Sequence, residues 1–216
     1  MPIMDGLQML SELRNDERTS HIPAVVLTAK ADMNSILTGV QSGADDYIVK
    51  PFSINYLQVK IESILSQRKK LQAFYSHNVI YNENKTESES TPKEITALLS
   101  NKDKAFLDKL SAIMEDQISN PELNVDYLVS CFNLSRSNFF HKLKSLTGLS
   151  PILYIKEVRM QKAAALVREK ENSIAEVAYM VGFSDPHYFS KCFKSFWGVN
   201  ASDFAKEQGD INSSSN

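Results

Sequence analysis

The carboxy-terminal half of this chain contains a second copy of one of its own segments. Residues 137–148, SNFFHKLKSLTG, align with residues 187–198, HYFSKCFKSFWG, at a constant separation of 50 positions. Upstream of both segments the separation becomes 49, which pairs Leu128 with Val177. Because apolar residues recur at helical spacing on both sides of this slip, the repeat predicts two copies of a helix, a short turn and a second helix.

Signals for turns and helix ends support the same division. Each turn needs a residue that tolerates positive φ, and we expect Asn133 to serve in the first copy and Gly182 in the second. A long helix over 151–168 connects the copies. The predicted N-caps are Ser135, Ser173 and Asp185, with a capping-box partner at Glu176 and proline in the first helical position at Pro186. Two helical hairpins of an ordinary bundle are the alternative, but the duplicated caps and turns favour a paired helix-turn-helix.

The amino-terminal third alternates helical and strand-like segments. Helices are predicted after an N-cap at Asp5, over about 32–42 and over about 53–69. Two short apolar runs, PAVVLTA and DYIVKPF, are expected to be strands buried on both faces. Such alternation indicates a parallel sheet, but two strands are too few to complete one. The segment is therefore expected to be the second half of a larger α/β domain.

The overall composition hides an uneven distribution of charge. The net charge is −2, yet between Phe132 and Phe196 ten lysines and arginines stand against five acidic residues, a surplus that suits nucleic acid. Cys131 and Cys192 form no C-x-x-C pair and the four histidines are scattered, so neither a zinc site nor a disulfide is expected. With no signal peptide and no apolar run of about 20 residues, we expect a cytoplasmic chain, although its intact parent could be membrane-anchored.

Two other classes of function fit the sequence less well. An enzyme would need paired carboxylates, a phosphate-binding glycine loop or a nucleophile elbow, and the sequence shows none of these patterns. His187 and Cys192 lie about 140° apart around one helix and would not form a dyad. A helical protein-interaction module without specific DNA binding is the remaining alternative, because helix pairs also serve as docking surfaces.

Three segments resemble the DNA-binding domain of the arabinose-regulator (AraC-type) family, namely GFSDPHYFSKCFKSFWG, SRSNFFHKLKSLTGLSP and the linking IKEVRMQKAAALV. The resemblance covers about Leu107 to Ala205 and departs from the family at Asn200-Ala201, where Thr-Pro is usual. It implies that the second helix of each copy is a recognition helix and that the two helices enter successive major grooves. Double-stranded DNA is the implied partner, together with RNA polymerase.

Candidate DNA contacts follow from positions on these two helices. Ser137, Phe140 and His141 share one face of the first helix, where the polar pair can hydrogen-bond bases and Phe140 can touch a thymine methyl group. On the second helix the base-contact candidates are Pro186 or His187, and Lys191, which suits guanine. The predicted phosphate contacts are Lys142, Ser173, Tyr188, Ser190 and Lys194.

The amino-terminal segments MPIMDG, VVLTA and GADDYIVKPF resemble response-regulator receiver domains from just after their third strand. The resemblance implies that Thr28 is the switch hydroxyl, Tyr47 the rotating aromatic and Lys50 the phosphoryl-pairing lysine, with a cis bond at Lys50-Pro51. It places the acceptor Asp and the magnesium-holding acidic pair before Met1, so both are expected to be absent from this chain. Asp5, Asp45 and Asp46 are not expected to replace them. No cofactor is therefore expected, and magnesium only in an intact receiver.

These resemblances together predict a mixed fold: a partial α/β receiver (a flavodoxin-like half) followed by an all-α domain with two helix-turn-helix units. The predicted divisions are the receiver half over 1–70, a linker over 71–103, the DNA-binding domain over 104–207 and a disordered tail over 208–216. This order resembles the end of a hybrid two-component regulator, with a stand-alone response regulator as the next choice. A histidine kinase domain in cis or in trans and a homodimer of the intact protein are the further partners implied.

Overall fold

The computed structural model describes residues 4–29, 43–77 and 99–207. The helix predicted over 32–42, most of the predicted linker and the predicted disordered tail lie outside these residues. The described elements, in chain order, are α1 Gly6–Asn15, β1 Val25–Thr28, β2 Asp46–Val49, α2 Ile54–His77, α3 Asn101–Gln117, α4 Val125–Ser130, α5 Arg136–Thr147, α6 Pro151–Glu169, α7 Ile174–Met180, α8 Pro186–Trp197 and α9 Ala201–Glu207.

The chain divides into two compact units that interleave along the sequence. The described parts of the first unit are residues 4–29, 43–77, 99–108 and 134–149, and those of the second are residues 109–133 and 150–207. The first unit therefore contains the α/β segment and α5, whereas the second contains α4 and α6 to α9. This partition differs from the predicted boundaries, which divide the chain into consecutive blocks.

The two strands pair in parallel, with Val25 opposite Asp46 and Thr28 opposite Val49. Ile48 is buried, but Leu27 is 43% exposed. The prediction that both strands are buried on both faces is therefore wrong for β1. The physical reason is that a two-stranded sheet does not supply neighbours for every side chain.

The ends of α1 and α2 show where local signals succeed. The Asp5 carboxylate accepts hydrogen bonds from the backbone N–H groups of Leu7 and Gln8, and the Gln8 side chain completes a capping box. The cap predicted at Asp5 is thus confirmed. The helix α2 begins after Ser53, as expected, but it continues to His77, beyond the predicted end near residue 69.

The helices of the repeat begin and end close to their predicted limits. Ser135, Ser150, Ser173 and Asp185 all accept hydrogen bonds as N-caps, and Ser173 and Glu176 form the predicted capping box. The core of the second unit is built from α6, α7, α8 and α9, with members that include Met160, Ala163, Val177, Ala178, Phe189 and Phe193. In the described part of the chain, no helix is long and apolar enough to cross a membrane.

The two turns of the repeat differ in their backbone. Gly182 has φ of 78°, as predicted, but Asn133 does not have positive φ, and that prediction is wrong. The first turn continues in the right-handed sense, with Cys131 N–H donating to Leu128 C=O and Phe132 N–H to Val129 C=O. It is one residue shorter than the second turn and does not need a left-handed position.

Candidate nucleic-acid interface

The turn between α7 and α8 requires glycine for two reasons. Gly182 adopts the left-handed conformation that other residues disfavour. A Cβ atom at this position would also lie 2.5 Å from the carbonyl oxygen of Ile118 and 2.6 Å from the guanidinium of Arg159. The Phe183 N–H donates to Ala178 C=O, which closes the turn over the end of α7. The start of the second recognition helix is therefore fixed by close packing.

Arg159 of the long helix α6 supports this turn and was not predicted as a functional residue. Its guanidinium donates a 2.7 Å hydrogen bond to Asn120 C=O and lies 5.8 Å from the centre of the Phe183 ring. Burial lowers the pKa of Arg159 from its usual value. No local sequence pattern predicts that Arg159 supports the turn, because its partners Asn120 and Phe183 belong to other segments.

The second recognition helix, α8, presents its predicted DNA contacts to solvent. Phe189 and Phe193 are fully buried on its inner side. Pro186 is half-buried, and the exposed candidates on this helix are His187, Tyr188, Ser190, Lys191 and Lys194. A hydrogen bond with Cys192 raises the pKa of Tyr188. The helix therefore separates an apolar inner side from a polar outer side suited to a DNA groove.

The predicted phosphate contact at Ser173 lies beside the carboxylate of Glu176, which would repel a phosphate. The Ser173 hydroxyl already accepts from the Glu176 N–H at 3.2 Å, and the Ser173 N–H donates to the Glu176 carboxylate at 2.7 Å. Hydrogen bonds that the Glu176 carboxylate accepts from the Ser173 backbone N–H and from the Ser173 side chain lower the pKa of Glu176. A carboxylate thus occupies the helix terminus where the prediction places a phosphate.

The first recognition helix, α5, has a similar division between its sides. Phe139 and Leu143 are fully buried, whereas Ser137 and His141 are exposed. Phe140 is half-buried, with the Arg136 guanidinium 5.7 Å from its ring centre. The base-contact candidates on this helix are thus at the surface, although Phe140 presents only part of its ring.

Lys142 is not at the surface, which contradicts its predicted role as a phosphate contact in this structure. Its side chain is 0% exposed, and its ammonium lies 3.1 Å from the Asp103 carboxylate. It also donates to the Ser20 hydroxyl and to Glu17 C=O. Around α5, Lys142 lies only about 60° from the fully buried Phe139, on the inner side of the helix. The prediction failed because it overlooked this position.

Two of the three predicted receiver switch residues, Thr28 and Lys50, lie at one edge of the small sheet. Thr28 ends β1 and Lys50 follows β2, and the Lys50 N–H donates to Thr28 C=O at 2.7 Å. Tyr47 is half-buried in β2, opposite Val26. The bond between Lys50 and Pro51 is cis, as predicted. The structure thus brings Thr28 and Lys50 together at the carboxyl ends of the strands.

The acidic residues next to β2 do not fit a magnesium site. Asp45 and Asp46 lie at the amino end of the strand, at the opposite edge from Thr28. Their carboxylates are paired with cations: Asp45 with Arg14 at 2.5 Å and with Arg68 at 3.8 Å, and Asp46 with Lys60 at 3.0 Å. Carboxylates already neutralised in this way are poor ligands for a second cation.

Comparisons with known proteins match both parts of the chain. The model of the response regulator receiver domain matches residues 1–62, and a helix-turn-helix domain model matches residues 128–207. The chain joins a response-regulator receiver segment to an AraC-type DNA-binding domain. It is therefore similar to response regulators in its first part and to DNA-binding transcription regulators in its last part.

Individual relatives cover different shares of the chain. Histidine kinase P4 of Formosa agariphila is 35% identical over 204 residues, which are 94% of this chain and 14% of that protein. The HTH-type transcriptional regulator MtrA of Neisseria gonorrhoeae is 36% identical over 109 residues, 49% of this chain and 36% of that protein. A solved structure of the C-terminal domain of AraT, a response regulator from Geobacillus stearothermophilus, is 29% identical with a TM-score of 0.43, covering 44% of this chain and 79% of that one. The chain thus spans about a third or less of the length of these two curated relatives.

Proposed function

We propose that this chain is the output end of a two-component phosphorelay and that it binds a specific duplex DNA sequence through α5 and α8. The observation that carries the proposal is the outer side of α8. There His187 and Lys191 are exposed on a helix whose inner side is fully buried and whose start is fixed by the Gly182 turn. A rigid helix with exposed hydrogen-bonding side chains near its start is what base recognition requires.

The proposal extends to the protein in which this chain works. Because the chain matches only 14% of the Formosa agariphila relative, and because that relative is named a histidine kinase, we place it at the end of a hybrid regulator. A kinase domain in cis, a homodimer with two half-sites and RNA polymerase are the proposed partners. DNA binding places this end of the protein in the cytoplasm. The chain itself is proposed to have no catalytic activity and to need no cofactor.

A protein-interaction module is the second candidate. It is favoured by apolar side chains at the start of α6, where Ile152 is 65% exposed and Leu153 is 52% exposed. The two candidates differ in their response to salt. Binding to DNA phosphates weakens steeply with salt, with a slope of about −0.9 per phosphate contact, whereas apolar docking does not.

The test is a selection of duplexes from a random library with the full chain, followed by titration of the selected duplex. We expect Lys191→Ala to weaken binding by about 1–3 kcal/mol and to relax the preference at one base pair. Lys206→Ala is the matched control, because Lys206 is an exposed lysine of α9 outside the recognition helices. Equal effects of both substitutions, or a salt-independent affinity, would favour the interaction module.

A further inference from the structure

Each of the two recognition helices carries a lysine at an equivalent position near its end. The separation of 50 positions that relates the two copies pairs Lys144 of α5 with Lys194 of α8. Both lysines lie in the last turn of their helix, and both are exposed. The predicted phosphate contacts include Lys194 but not Lys144, so the lysine of the first copy has no role in the prediction.

The same separation explains why the predicted contact at Lys142 is buried. It pairs Lys142 with Cys192, and both side chains belong to the buried residues. This position is thus on the inner side of the helix in both copies, whereas the position of Lys144 and Lys194 is on the outer side in both. The outward-facing lysine near the end of α5 is therefore Lys144 and not Lys142.

Helical geometry puts Lys144 on the face of α5 that carries candidates for base contacts. Successive residues are about 100° apart, so Lys144, seven residues after Ser137, lies about 20° from it around the helix and about 10 Å farther along the axis. His187 and Lys194 have the same spacing on α8. Each helix thus has an outer stripe that begins with a candidate for base contact and ends with a lysine.

The backbone holds the two lysines in the same way. The Gly148 N–H donates to Lys144 C=O at 2.8 Å, and the Gly198 N–H donates to Lys194 C=O at 2.9 Å. Both glycines are left-handed, with φ of 77° and 80°. The two helices therefore end in equivalent caps, and the backbone of each lysine is already fixed before DNA binds.

The charges around the two ammonium groups favour an anion. Neither α5 nor α8 contains an acidic residue. Among the residues that the structure describes, no carboxylate is paired with Lys144 or Lys194. The alternative explanation for a lysine in the last turn is its attraction to the helix dipole, and Lys206 of α9 has the same kind of position. A test must therefore compare these lysines with Lys206.

We propose that Lys144 contacts a DNA phosphate, and that Lys144 and Lys194 form a matched pair with one lysine for each helix-turn-helix unit. The start of a recognition helix meets base edges, and a lysine farther along the same face meets the sugar-phosphate backbone that borders the groove. Contacts to phosphates fix the register of the protein on the duplex and carry no direct sequence information. This inference rests on the proposed role of α5 and α8 in DNA binding.

The experiment measures the affinity of the full chain for the selected duplex as a function of salt concentration. We expect Lys144→Ala and Lys194→Ala each to reduce the salt slope by about 0.9 and to weaken binding about fivefold to tenfold near about 0.1 M salt, because each variant loses one phosphate contact. Lys144→Arg keeps the charge and should keep the slope. The base preference should stay unchanged in all three variants, because a phosphate contact does not read bases.

Lys206→Ala is the matched control, because Lys206 is a last-turn lysine outside the recognition helices. It should leave the salt slope unchanged. An unchanged slope in Lys144→Ala, or an equal reduction in Lys206→Ala, overturns the proposal. A preference that is relaxed at one base pair in Lys144→Ala also overturns it, because Lys144 would then contact a base.

Neutral linkages in the DNA give a second readout. Methylphosphonate linkages, placed one at a time in the selected duplex, each remove the charge of a single phosphate. At one linkage the replacement should weaken binding of the original chain but not of Lys144→Ala, and a different linkage should behave in this way for Lys194→Ala. The proposal is overturned if every linkage affects Lys144→Ala as much as the original chain. If the original chain has no salt-dependent affinity for any duplex, the proposed function itself has failed, and the two failures are thus distinguishable.

Discussion

His21 lies beside the ion pair of Lys142 and Asp103 and has an unusual titration. It is 6% exposed, and burial together with the nearby Lys142, Arg68 and His141 lowers its pKa to about 4, against the opposing effect of Asp103. A neutral histidine is thus part of the packing between the receiver segment and α5. Its Nδ1 atom is buried and has no hydrogen-bond partner, so the ring is held in place by packing and not by a hydrogen bond at this atom.

The lowered pKa of His21 predicts that the stability of the first unit falls as the pH falls. The unfolded chain binds a proton at the ordinary histidine pKa of 6.5, whereas the folded chain binds it only near pH 4. Above pH 6.5 neither state is protonated at His21, so its titration does not reduce stability. Between pH 6.5 and about 4 the unfolded chain binds the proton more tightly, and the free energy of unfolding therefore decreases as the pH falls. We expect the urea midpoint to decrease between about pH 7 and about pH 5, before most carboxylates titrate. His21→Gln should make this decrease smaller.

His187→Gln is the control for that measurement, because His187 is exposed on α8. It should leave the pH dependence of the urea midpoint unchanged. A wild-type midpoint that is flat between about pH 7 and about pH 5 would contradict the assignment of a buried, neutral His21.

At the scale of elements, the two copies of the repeat use different turns to position equivalent helices. The second turn combines a left-handed glycine with the packing of Arg159 and Phe183, whereas the first turn stays right-handed. The duplication thus preserves the caps and the inner aromatic residues but not the backbone of the turn. The free energy of unfolding should consequently be sensitive to substitution of the left-handed glycine in the second turn, whereas the first turn has no residue of this kind.

Substitution of two left-handed glycines should separate backbone strain from steric clash. Gly198→Ala places a Cβ in open space, so only the strain of positive φ is expected, about 1 kcal/mol. Gly182→Ala has the same strain and also brings a Cβ within 2.5 Å of Ile118 C=O, so we expect a loss of about 3 kcal/mol or more. Urea denaturation measures both values. Equal losses would show that the Gly182 turn adjusts its packing.

At the scale of the whole molecule, the partition into units separates the two recognition helices. The helix α5 belongs to the unit that contains the receiver segment, and α8 belongs to the other. A signal that acts on the receiver segment therefore has a direct physical connection to α5.

The arrangement of acidic residues also predicts the response of this chain to a phosphoryl donor. Asp45 and Asp46 are ion-paired at the edge of the sheet opposite to Thr28 and Lys50. We expect that incubation with acetyl phosphate and magnesium adds no acid-labile phosphoryl group to the 216-residue chain. Intact mass spectrometry measures this, with a complete receiver domain as the positive control. An acid-labile adduct of one phosphoryl group would show that another carboxylate serves as the acceptor.

Local patterns in the sequence determined most of the elements of this protein. N-caps act within three residues, and the αL turn at Gly182 depends on one backbone position, so Asp5, Ser135, Ser173 and Asp185 could be predicted without knowledge of the fold. The internal repeat identified the inner and outer sides of α8 for the same reason, since both are set by helical periodicity. The receiver segment and its edge residues Thr28 and Lys50 followed from family resemblance.

Only the tertiary structure decided what covers each surface. Lys142 was predicted to contact a DNA phosphate, but it is buried, and its partners Glu17, Ser20 and Asp103 come from segments more than 30 residues away. Arg159 is likewise explained by Asn120 and Phe183, which no local pattern connects to it. Contacts between distant segments depend on how the chain packs, and helical periodicity carries no information about them. The sequence therefore determined the two predicted recognition helices, and the fold determined which of their polar side chains are buried.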